Sequence, residues 1–314
     1  MDVGAAGGVP PPWERAKARL RVVGFEPDPR SIDRLRKNPE GVDSIYLNTG
    51  LYKEKGAIDL YLTRDNRKSS IIPPNDEFLK KFVSLERTEI VETKKITVDT
   101  LDNQLRENGV KEIDFIKIDA QGSELFILQG AKETLQKLVF GLEVEVSFAK
   151  RYKNQPLFGE VDNYLRNFGY ELIDIKPYYL KRLRGHNCGG WKGQAIIGKT
   201  LYFKSTEKFT ELLSGYRDPE EHKSKILKAM TIALLYGYVD IALEIFEETK
   251  TALTEAEKKL INSAIKRICA PRIKERLPGG RTIARLILKF MKIFESENSK
   301  KIRKATLLGN FDEI

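Results

Sequence analysis

The sequence contains two cysteines, Cys188 and Cys269, which stand far apart and form no C-x-x-C pair. A disulfide framework and a cysteine-based zinc site are therefore not expected, and so little cysteine is typical of the reducing cytosol. No window approaches the roughly 20 consecutive apolar residues of a transmembrane helix, and no charged start followed by an apolar run opens the chain. These absences argue against a membrane-spanning or secreted protein and predict a cytoplasmic one.

The 314 residues are enough for about two domains. Hydrophobic residues make up 41% and charged residues 32%, which is typical of a folded chain rather than a disordered one. The net charge of +10 is unevenly distributed, because residues 258–304 hold 15 lysines and arginines against three acidic residues. The rest of the chain is close to neutral, so the positive charge belongs to the C-terminal segment.

Up to Ser205, short β-branched or aromatic runs alternate with amphipathic stretches, which predicts an α/β fold with a mostly parallel sheet. The predicted strands are residues 22–25, 44–49, 58–62, 115–118, 142–146, 171–175 and 195–203. The predicted helices are residues 29–37, 100–108, 124–137 and 157–168, and residues 65–75 are expected to form a loop or lid. After Ser205 the strand pattern stops, and residues 218–250 and 254–268 are expected to be helical.

A glycine-rich turn, D-V-G-A-A-G-G, starts at Asp2. A dinucleotide fingerprint would need glycine at positions 4, 6 and 9, and Ala6 and Val9 depart from it. The D-x-G-x-G-x-G pattern of S-adenosylmethionine-dependent methyltransferases fits better, with Asp2, Gly4 and Gly8 matching. Small residues let the backbone approach a ligand closely at the end of a first strand. The alternative is a tight connection without a ligand.

An acidic residue, Glu26, follows the apolar run 22–25 and lies 22 residues after Gly4. An acid that ends the second strand about 20 residues after the glycine turn is placed to accept hydrogen bonds from both ribose hydroxyls. The pairing of Gly4 with Glu26 therefore predicts an adenosyl ligand. The alternative is a surface acid before a proline-rich turn.

A third segment, D-F-I-K-I-D-A-Q-G-S-E, covers residues 114–124. Asp119 ends a buried strand where a doubly wound sheet presents its ligands, so it is expected to face the methionine end of the cofactor or the acceptor hydroxyl. Lys117 should lie on the same face as Asp119, in a structural ion pair or a catalytic role. Glu124 fits equally an acid in a first helical turn and a functional carboxylate.

Taken in order, these segments resemble the FkbM family of S-adenosylmethionine-dependent methyltransferases over roughly residues 1–203. The resemblance is carried by D-V-G-A-A-G-G, G-F-E-P-D-P, T-L-D, F-I-K-I-D-A-Q-G-S-E-L-F-I-L-Q-G-A and E-V-E-V. It implies a class I methyltransferase (Rossmann-like) fold with an antiparallel last strand, and O-methylation of a hydroxyl on a sugar or polyketide-like acceptor. It also implies cofactor contacts at Asp2, Gly4 and Glu26 and a motif carboxylate at Asp119. We therefore assign residues 1–205 to an FkbM-type domain and residues 206–314 to a basic α-helical appendage.

Two features depart from the family pattern. Gln121 stands where the family commonly has glutamate, so no role is assigned to a carboxylate at that position. The chain also begins at Met1, directly before Asp2, which leaves almost none of the first strand. We expect from this that the start has been placed too late or that the chain is a piece of a longer one.

Methyl transfer to oxygen needs alignment and a base for the hydroxyl proton, since the cofactor is already activated. The candidate bases are Asp119, Glu145 on the next strand, and His186 in the loop R-G-H-N-C-G-G-W-K-G. His186 has the most suitable ordinary pKa, near 6.5, and its alternative role is that of an exposed loop histidine. Three aromatic residues would stack on a sugar ring or complete the edge of a core: Tyr178, Tyr179 and Trp191. No metal site is expected, because Asp119 and Glu124 supply too few ligands.

The C-terminal segment contains a basic amphipathic stretch at residues 281–294. A helix of this kind can lie on an anionic membrane surface and bring the protein to lipid-linked saccharides at the inner membrane face. The alternative is packing on its own domain with a solvated basic face. A nucleic-acid partner is not expected, because the segment carries no recognisable recognition motif.

Two other functions remain open at this point. A nicotinamide-dependent Rossmann enzyme is one, although Ala6 and Val9 weaken its fingerprint. The other is a catalytically impaired methyltransferase-like protein whose basic appendage binds a partner or nucleic acid. Binding of S-adenosylmethionine, of NAD or of neither would separate the three functions.

Overall fold

The structure, a computed structural model, describes residues 1–82, 85–184 and 193–269. These residues form ten strands in two sheets. In chain order the strands are β1 (Asp2–Val3), β2 (Val23–Phe25), β3 (Ile45–Leu47), β4 (Gly50–Leu51), β5 (Gly56–Thr63), β6 (Ile90–Asp99), β7 (Phe115–Ile118), β8 (Gly141–Ser147), β9 (Tyr170–Leu180) and β10 (Gln194–Lys204). His186, Trp191 and residues 281–294 lie outside the described residues.

The main sheet has seven strands in the order β3-β2-β1-β7-β8-β10-β9. Every neighbouring pair from β3 to β8 is parallel, whereas β10 runs antiparallel to both β8 and β9. The predicted α/β fold, a mostly parallel sheet with an antiparallel last strand, is therefore confirmed. The order reverses direction at β1, so the carboxyl ends of β1 and β7 lie side by side, which is where such sheets bind ligands.

The described residues also form ten α-helices. They are α1 (Pro29–Lys37), α2 (Asp76–Leu79), α3 (Leu101–Glu107), α4 (Glu124–Gln129), α5 (Lys132–Lys137), α6 (Phe158–Arg166), α7 (Thr206–Leu213), α8 (Pro219–Tyr236), α9 (Val239–Thr249) and α10 (Glu255–Cys269). Side-chain caps set several of the starts: Asp28 accepts from the Arg30 amide before α1, and Thr254 and Glu257 form the predicted capping box before α10. No helix among residues 1–82, 85–184 and 193–269 is long and apolar enough to span a bilayer.

The two faces of the main sheet bury different residues, because successive side chains of a strand point to opposite sides. One face presents Ile116, Ile118 and Val144 to α3, α4, α5 and α6 in the larger core. The other face presents Phe115 and Phe203 to α7, α8 and α9. The helices after β10 therefore cover sheet residues that water would otherwise contact.

An ion pair made by a buried lysine also joins α8 to the chain before β7. The ammonium of Lys225 donates to Asp114 Oδ1 at 2.7 Å and to the carbonyl oxygen of Ile113 at 2.9 Å, and 2% of the lysine side chain is exposed. Ser205, near which the sequence predicts a boundary, is the N-cap of α7 and accepts from the Lys208 amide.

The predicted strand at residues 58–62 exists as β5, but it does not belong to the parallel sheet. It pairs antiparallel with β6 in a separate three-stranded sheet of order β4-β6-β5. Strands β4 and β6 have no counterpart in the sequence-based prediction. Residues 90–95 of β6 are all exposed, so this strand lacks the buried face that alternation would reveal.

Two predicted helices are each divided in the structure. The stretch 124–137 breaks at Gly130, and α5 starts afresh because the Asp102 carboxylate of α3 accepts from the Glu133 and Thr134 amides, both at 2.9 Å. The stretch 218–250 breaks at Gly237, whose φ of +93° ends α8 in the left-handed region that favours glycine.

Candidate active site

A cavity of about 410 Å³ opens at the carboxyl ends of β1, β2, β7 and β8. Its walls include the turn after β1, the segments after β2 and β7, the loop 66–71, and residues of β8, β9 and β10. The lining includes Gly4, Ala6, Gly7, Glu26, Asp28, Lys68, Ser70, Asp119, Gln121, Glu145, Tyr178 and Lys199. The loop predicted as a lid thus forms one wall of the cavity.

The glycine turn after β1 fits closely against β7. Gly4 has a φ of +71°, and a Cβ atom built on it would overlap the carbonyl oxygen of Asp119. Gly7 faces open space, since a Cβ built there would meet no atom within 4 Å. Gly8, predicted to contact the cofactor, does not line the cavity, because it lies against the carboxylate of Glu40. The residues of the turn that line the cavity are Gly4, Ala6 and Gly7.

Glu26 lies at the end of β2, where its carboxylate ties two segments of the cavity wall together. Its Oε2 accepts from the Ala6 amide at 3.0 Å, and its Oε1 accepts from the Asp28 amide at 2.9 Å. Glu26 is 5% exposed, and burial raises the pKa of its carboxyl to about 7. The predicted ribose acceptor is therefore present at the cavity and linked directly to the glycine turn.

Asp2, the other predicted cofactor contact of the first motif, does not line the cavity. Its Oδ1 lies 2.8 Å from the ammonium of Lys117, which also donates to the carbonyl oxygen of Gly4 at 2.8 Å. Burial opposes the charge of Lys117, but the Asp2 and Asp119 carboxylates outweigh it and raise its pKa. Of the two roles open for Lys117, the structure places it in an ion pair that anchors the glycine turn.

Gln121 contacts both Asp119 and Glu145. Its φ of +53° lies in the left-handed region of the backbone. The Gln121 amide nitrogen donates to Asp119 Oδ1 at 2.9 Å and lies 3.4 Å from Glu145 Oε1. The Gln121 amide oxygen accepts from the Tyr152 hydroxyl at 2.9 Å. A glutamate at position 121 would place a third carboxylate beside these two, so the amide lets both acids occupy one site without further repulsion.

The two carboxylates differ in charge environment. Burial alone would raise the pKa of Asp119, but Lys117, Lys199 and Lys68 together hold it below its ordinary value. Burial and then the Asp119 charge raise the pKa of Glu145. The guanidinium of Arg151, which lies 2.5 Å from this carboxylate, opposes that increase. Asp119 therefore loses its proton more readily than Glu145.

Glu124 serves the turn after β7 and does not line the cavity. Its Oε1 accepts from the Ala120 and Gly122 amides, both at 3.0 Å. Burial and the neighbouring Glu145 raise its pKa to about 8. Among residues 1–82, 85–184 and 193–269, no group of three or more histidine, cysteine or acidic side chains could hold a metal ion.

The loop wall of the cavity is held by side chains from several elements. Ser70 donates from its hydroxyl to the carbonyl oxygen of Gln121 at 2.8 Å. The Arg30 guanidinium bridges the Asp28 carboxylate, 2.6 Å away, and the Ser69 hydroxyl, 3.0 Å away. These bonds connect residues 69–70 directly to the segments that follow β2 and β7.

The sequence analysis did not identify Lys68 and Lys199 as site residues, although both line the cavity. Lys199 lies directly opposite Glu145 in the β8–β10 register and so shares its face, a pairing that only the structure reveals. Lys68 lies in a short 3-10 helix of the loop wall, for which the sequence offers no such periodic signal.

Comparisons with known proteins identify sequences similar to this chain. A family model described as "Methyltransferase FkbM domain" matches residues 2–172. A curated relative, "2-O-methyltransferase NoeI" from Sinorhizobium fredii (strain NBRC 101917 / NGR234), is 31% identical over 150 residues. That alignment covers 45% of this chain and 58% of the relative. No solved structure matches the chain significantly.

Proposed function

Because the chain belongs to the FkbM methyltransferase family, we propose that it transfers the methyl group of S-adenosylmethionine to a hydroxyl oxygen of a sugar or related acceptor. The observation that carries the proposal is the meeting of the open glycine turn, Glu26 and the Asp119–Glu145 pair around one cavity. The name of the relative, a 2-O-methyltransferase, supports oxygen as the atom that is methylated.

The residues around the glycine turn fit the cofactor. Gly7 leaves open space at the cavity, so a ligand can approach the backbone there. Glu26 presents a carboxylate at the end of β2, in position to accept from two vicinal ribose hydroxyls. Lys117 holds the Gly4 carbonyl and so fixes the turn before any ligand binds. When bound, the cofactor supplies a methyl group on a positively charged sulfur, which needs no further activation.

The acceptor hydroxyl must lose a proton as its oxygen forms the new bond to carbon, and we assign that proton to Asp119. An ionised carboxylate can take it at this stage, because the hydroxyl becomes acidic only as the C–O bond forms. Gln121 and Glu145 orient Asp119, and Arg151 compensates the second carboxylate. His186 stays a predicted base from the sequence.

A matched pair of glycine variants tests the cofactor site. Gly7→Leu fills the open space at the turn, whereas Gly56→Leu adds the same side chain where a Cβ likewise meets no atom within 4 Å, outside the cavity. We expect isothermal titration to show S-adenosylmethionine binding by the wild type and Gly56→Leu, and at least a tenfold loss in Gly7→Leu. Binding of NAD instead would favour a nicotinamide enzyme, and binding of neither ligand would favour a partner-binding protein.

Methyl transfer itself is tested with cofactor carrying a radiolabelled methyl group and a panel of saccharide acceptors. Label is expected in a base-stable ether, which distinguishes transfer to a hydroxyl from transfer to a carboxylate. Label found only in esters or amines would refute O-methylation of a hydroxyl while leaving the cofactor site intact.

A further inference from the structure

The cavity extends well beyond the residues proposed to hold the cofactor. Glu26 follows β2, and Lys199 lies on β10, four strands further along the sheet order. Because neighbouring strands lie about 4.8 Å apart, the two positions are separated by roughly 19 Å along the sheet. Lys199, Tyr178 and Glu145 therefore line an end of the cavity distinct from the Glu26 end.

The ammonium of Lys199 is available to donate hydrogen bonds at this end of the cavity. Among the described residues its nearest carboxylate is Glu143, whose Oε1 lies 3.7 Å away, longer than a hydrogen bond. The other oxygen of Glu143 accepts from the Tyr236 hydroxyl at 3.2 Å, and that hydroxyl in turn accepts from Trp13 at 3.1 Å. These contacts hold Glu143 in place, so it does not close on Lys199. A 35% exposed side chain leaves the lysine open to the cavity.

Lys68 faces the same carboxylates from the loop wall. Lys68, Lys199 and Asp119 line the same cavity, and the charges of both lysines lower the pKa of the Asp119 carboxyl. Within the described residues, Lys68 has no carboxylate oxygen within 4.0 Å. Its neighbours on that wall differ, because Arg67 and Arg87 share the carboxylate of Asp65 at 3.3 and 2.8 Å.

We propose that the methyl acceptor is an anion, and that Lys68 and Lys199 bind its carboxylate or phosphate group beside the hydroxyl that Asp119 deprotonates. The inference rests on the proposed methyltransferase function. Gln121 and Arg151 contact the carboxylates of Asp119 and Glu145, and neither lysine pairs with these two acids among the described residues, so both ammonium groups can donate to a ligand. Lysine recognises such oxyanions as a point charge with three donors.

Two matched pairs of saccharides test whether the acceptor must be an anion and whether its charged group is a carboxylate or a phosphate. Tetragalacturonate and its methyl ester differ in carboxylate charge, and maltose 1-phosphate and maltose differ in phosphate charge. Each is titrated into protein saturated with S-adenosylhomocysteine. We expect an anionic member to bind at least tenfold more tightly than its neutral match, and the pair that discriminates identifies carboxylate or phosphate as the group.

Variants connect that preference to the two lysines. Lys68→Met and Lys199→Met are each expected to reduce the anion preference at least fivefold, while the affinity for S-adenosylhomocysteine stays within twofold of wild type. Lys94→Met, an exposed lysine of β6 outside the cavity, carries the same charge change and is the control. The Lys94→Met variant should keep the full preference.

Three results would overturn the proposal. One is the lack of any preference for an anionic member, including no binding by all four saccharides. Another is an equal loss in Lys94→Met, which would indicate a general effect of net charge. The third is a loss of S-adenosylhomocysteine affinity in Lys68→Met and Lys199→Met, which would place these lysines at the cofactor. Failure of the proposed function is distinct, since wild-type protein would then bind no S-adenosylhomocysteine.

Discussion

The ionisation of Glu26 is expected to set how cofactor affinity depends on pH. Burial raises the pKa of this carboxyl from 4.5 to about 7. About a tenth of the protein then carries an ionised Glu26 at pH 6, and about nine-tenths at pH 8. Since two ribose hydroxyls need an ionised carboxylate that accepts from both, the dissociation constant should fall about tenfold over this range, equivalent to about 1.4 kcal/mol.

The stability of the cofactor-free protein should decrease with rising pH, whereas cofactor affinity should increase. A pKa raised by folding means that the folded protein holds this proton more tightly than the unfolded chain does. The contribution of Glu26 to stability is therefore complete below pH 4.5 and is lost as the pH rises through about 7. Between pH 5 and 8, cofactor-free wild type should therefore lose more thermal stability than Glu26→Gln, because Glu124, whose pKa is also raised, is common to both proteins, while cofactor affinity increases.

Isothermal titration of S-adenosylhomocysteine at pH 6, 7 and 8 measures the affinity, with Glu26→Gln as the comparison. The amino group of the ligand titrates identically with both proteins, so the difference in pH slope isolates Glu26. Glu26→Gln also disturbs the bonds to the Ala6 and Asp28 amides, so the slope, and not the absolute affinity, is the readout. Equal slopes in the two proteins would refute the role of this carboxylate.

Three further outcomes are expected. Asp119→Asn and His186→Ala should each lower turnover by about a hundredfold or more with cofactor affinity within twofold of wild type, and unchanged methyl transfer in both would remove these base assignments. Lys225→Met, which removes a buried ammonium from Asp114 and from the carbonyl oxygen of Ile113, should lower the free energy of unfolding in urea by about 2 kcal/mol, against less than about 1 kcal/mol for the more exposed Lys228→Met; equal losses would contradict the role of burial. Residues 281–294 should bind vesicles of anionic lipid at low salt and release them at high salt, and co-sedimentation that is absent at low salt would exclude this contact.

Elements with strong local signals could be predicted closely from the sequence. The strand at residues 115–118 and the helix at residues 29–37 have the predicted bounds, since the first is a short apolar run and the second opens with an Asp-Pro start signal. Strand β6 was missed because residues 90–95 are exposed and carry no apolar alternation. The break at Gly130 depends on a cap from Asp102, which lies too far away in sequence to predict.

The residues of the candidate site likewise differ in how well local sequence patterns predict them. Gly4 and Glu26 line the cavity, and both positions follow from where a strand ends. The partnership of Asp2 with Lys117 depends on the pairing of β1 with β7, more than 100 residues apart, which no local pattern reveals. The placement of Lys199 opposite Glu145 likewise depends on the β8–β10 register. Contacts across strands therefore account for most of what sequence reasoning missed.

The insertion of β10 between β8 and β9 also has a consequence for synthesis on the ribosome. Strand β9 follows β8 along the chain but has no partner in the sheet until β10 pairs with it. The seven-stranded sheet can therefore be completed only after residue 204 has left the ribosome. Until then the eleven residues of β9 have no partner strand in that sheet. Such a strand can pair with another nascent chain. Slowing translation while β9 but not β10 has left the ribosome should therefore increase aggregation, whereas a pause once α7 has left it should not.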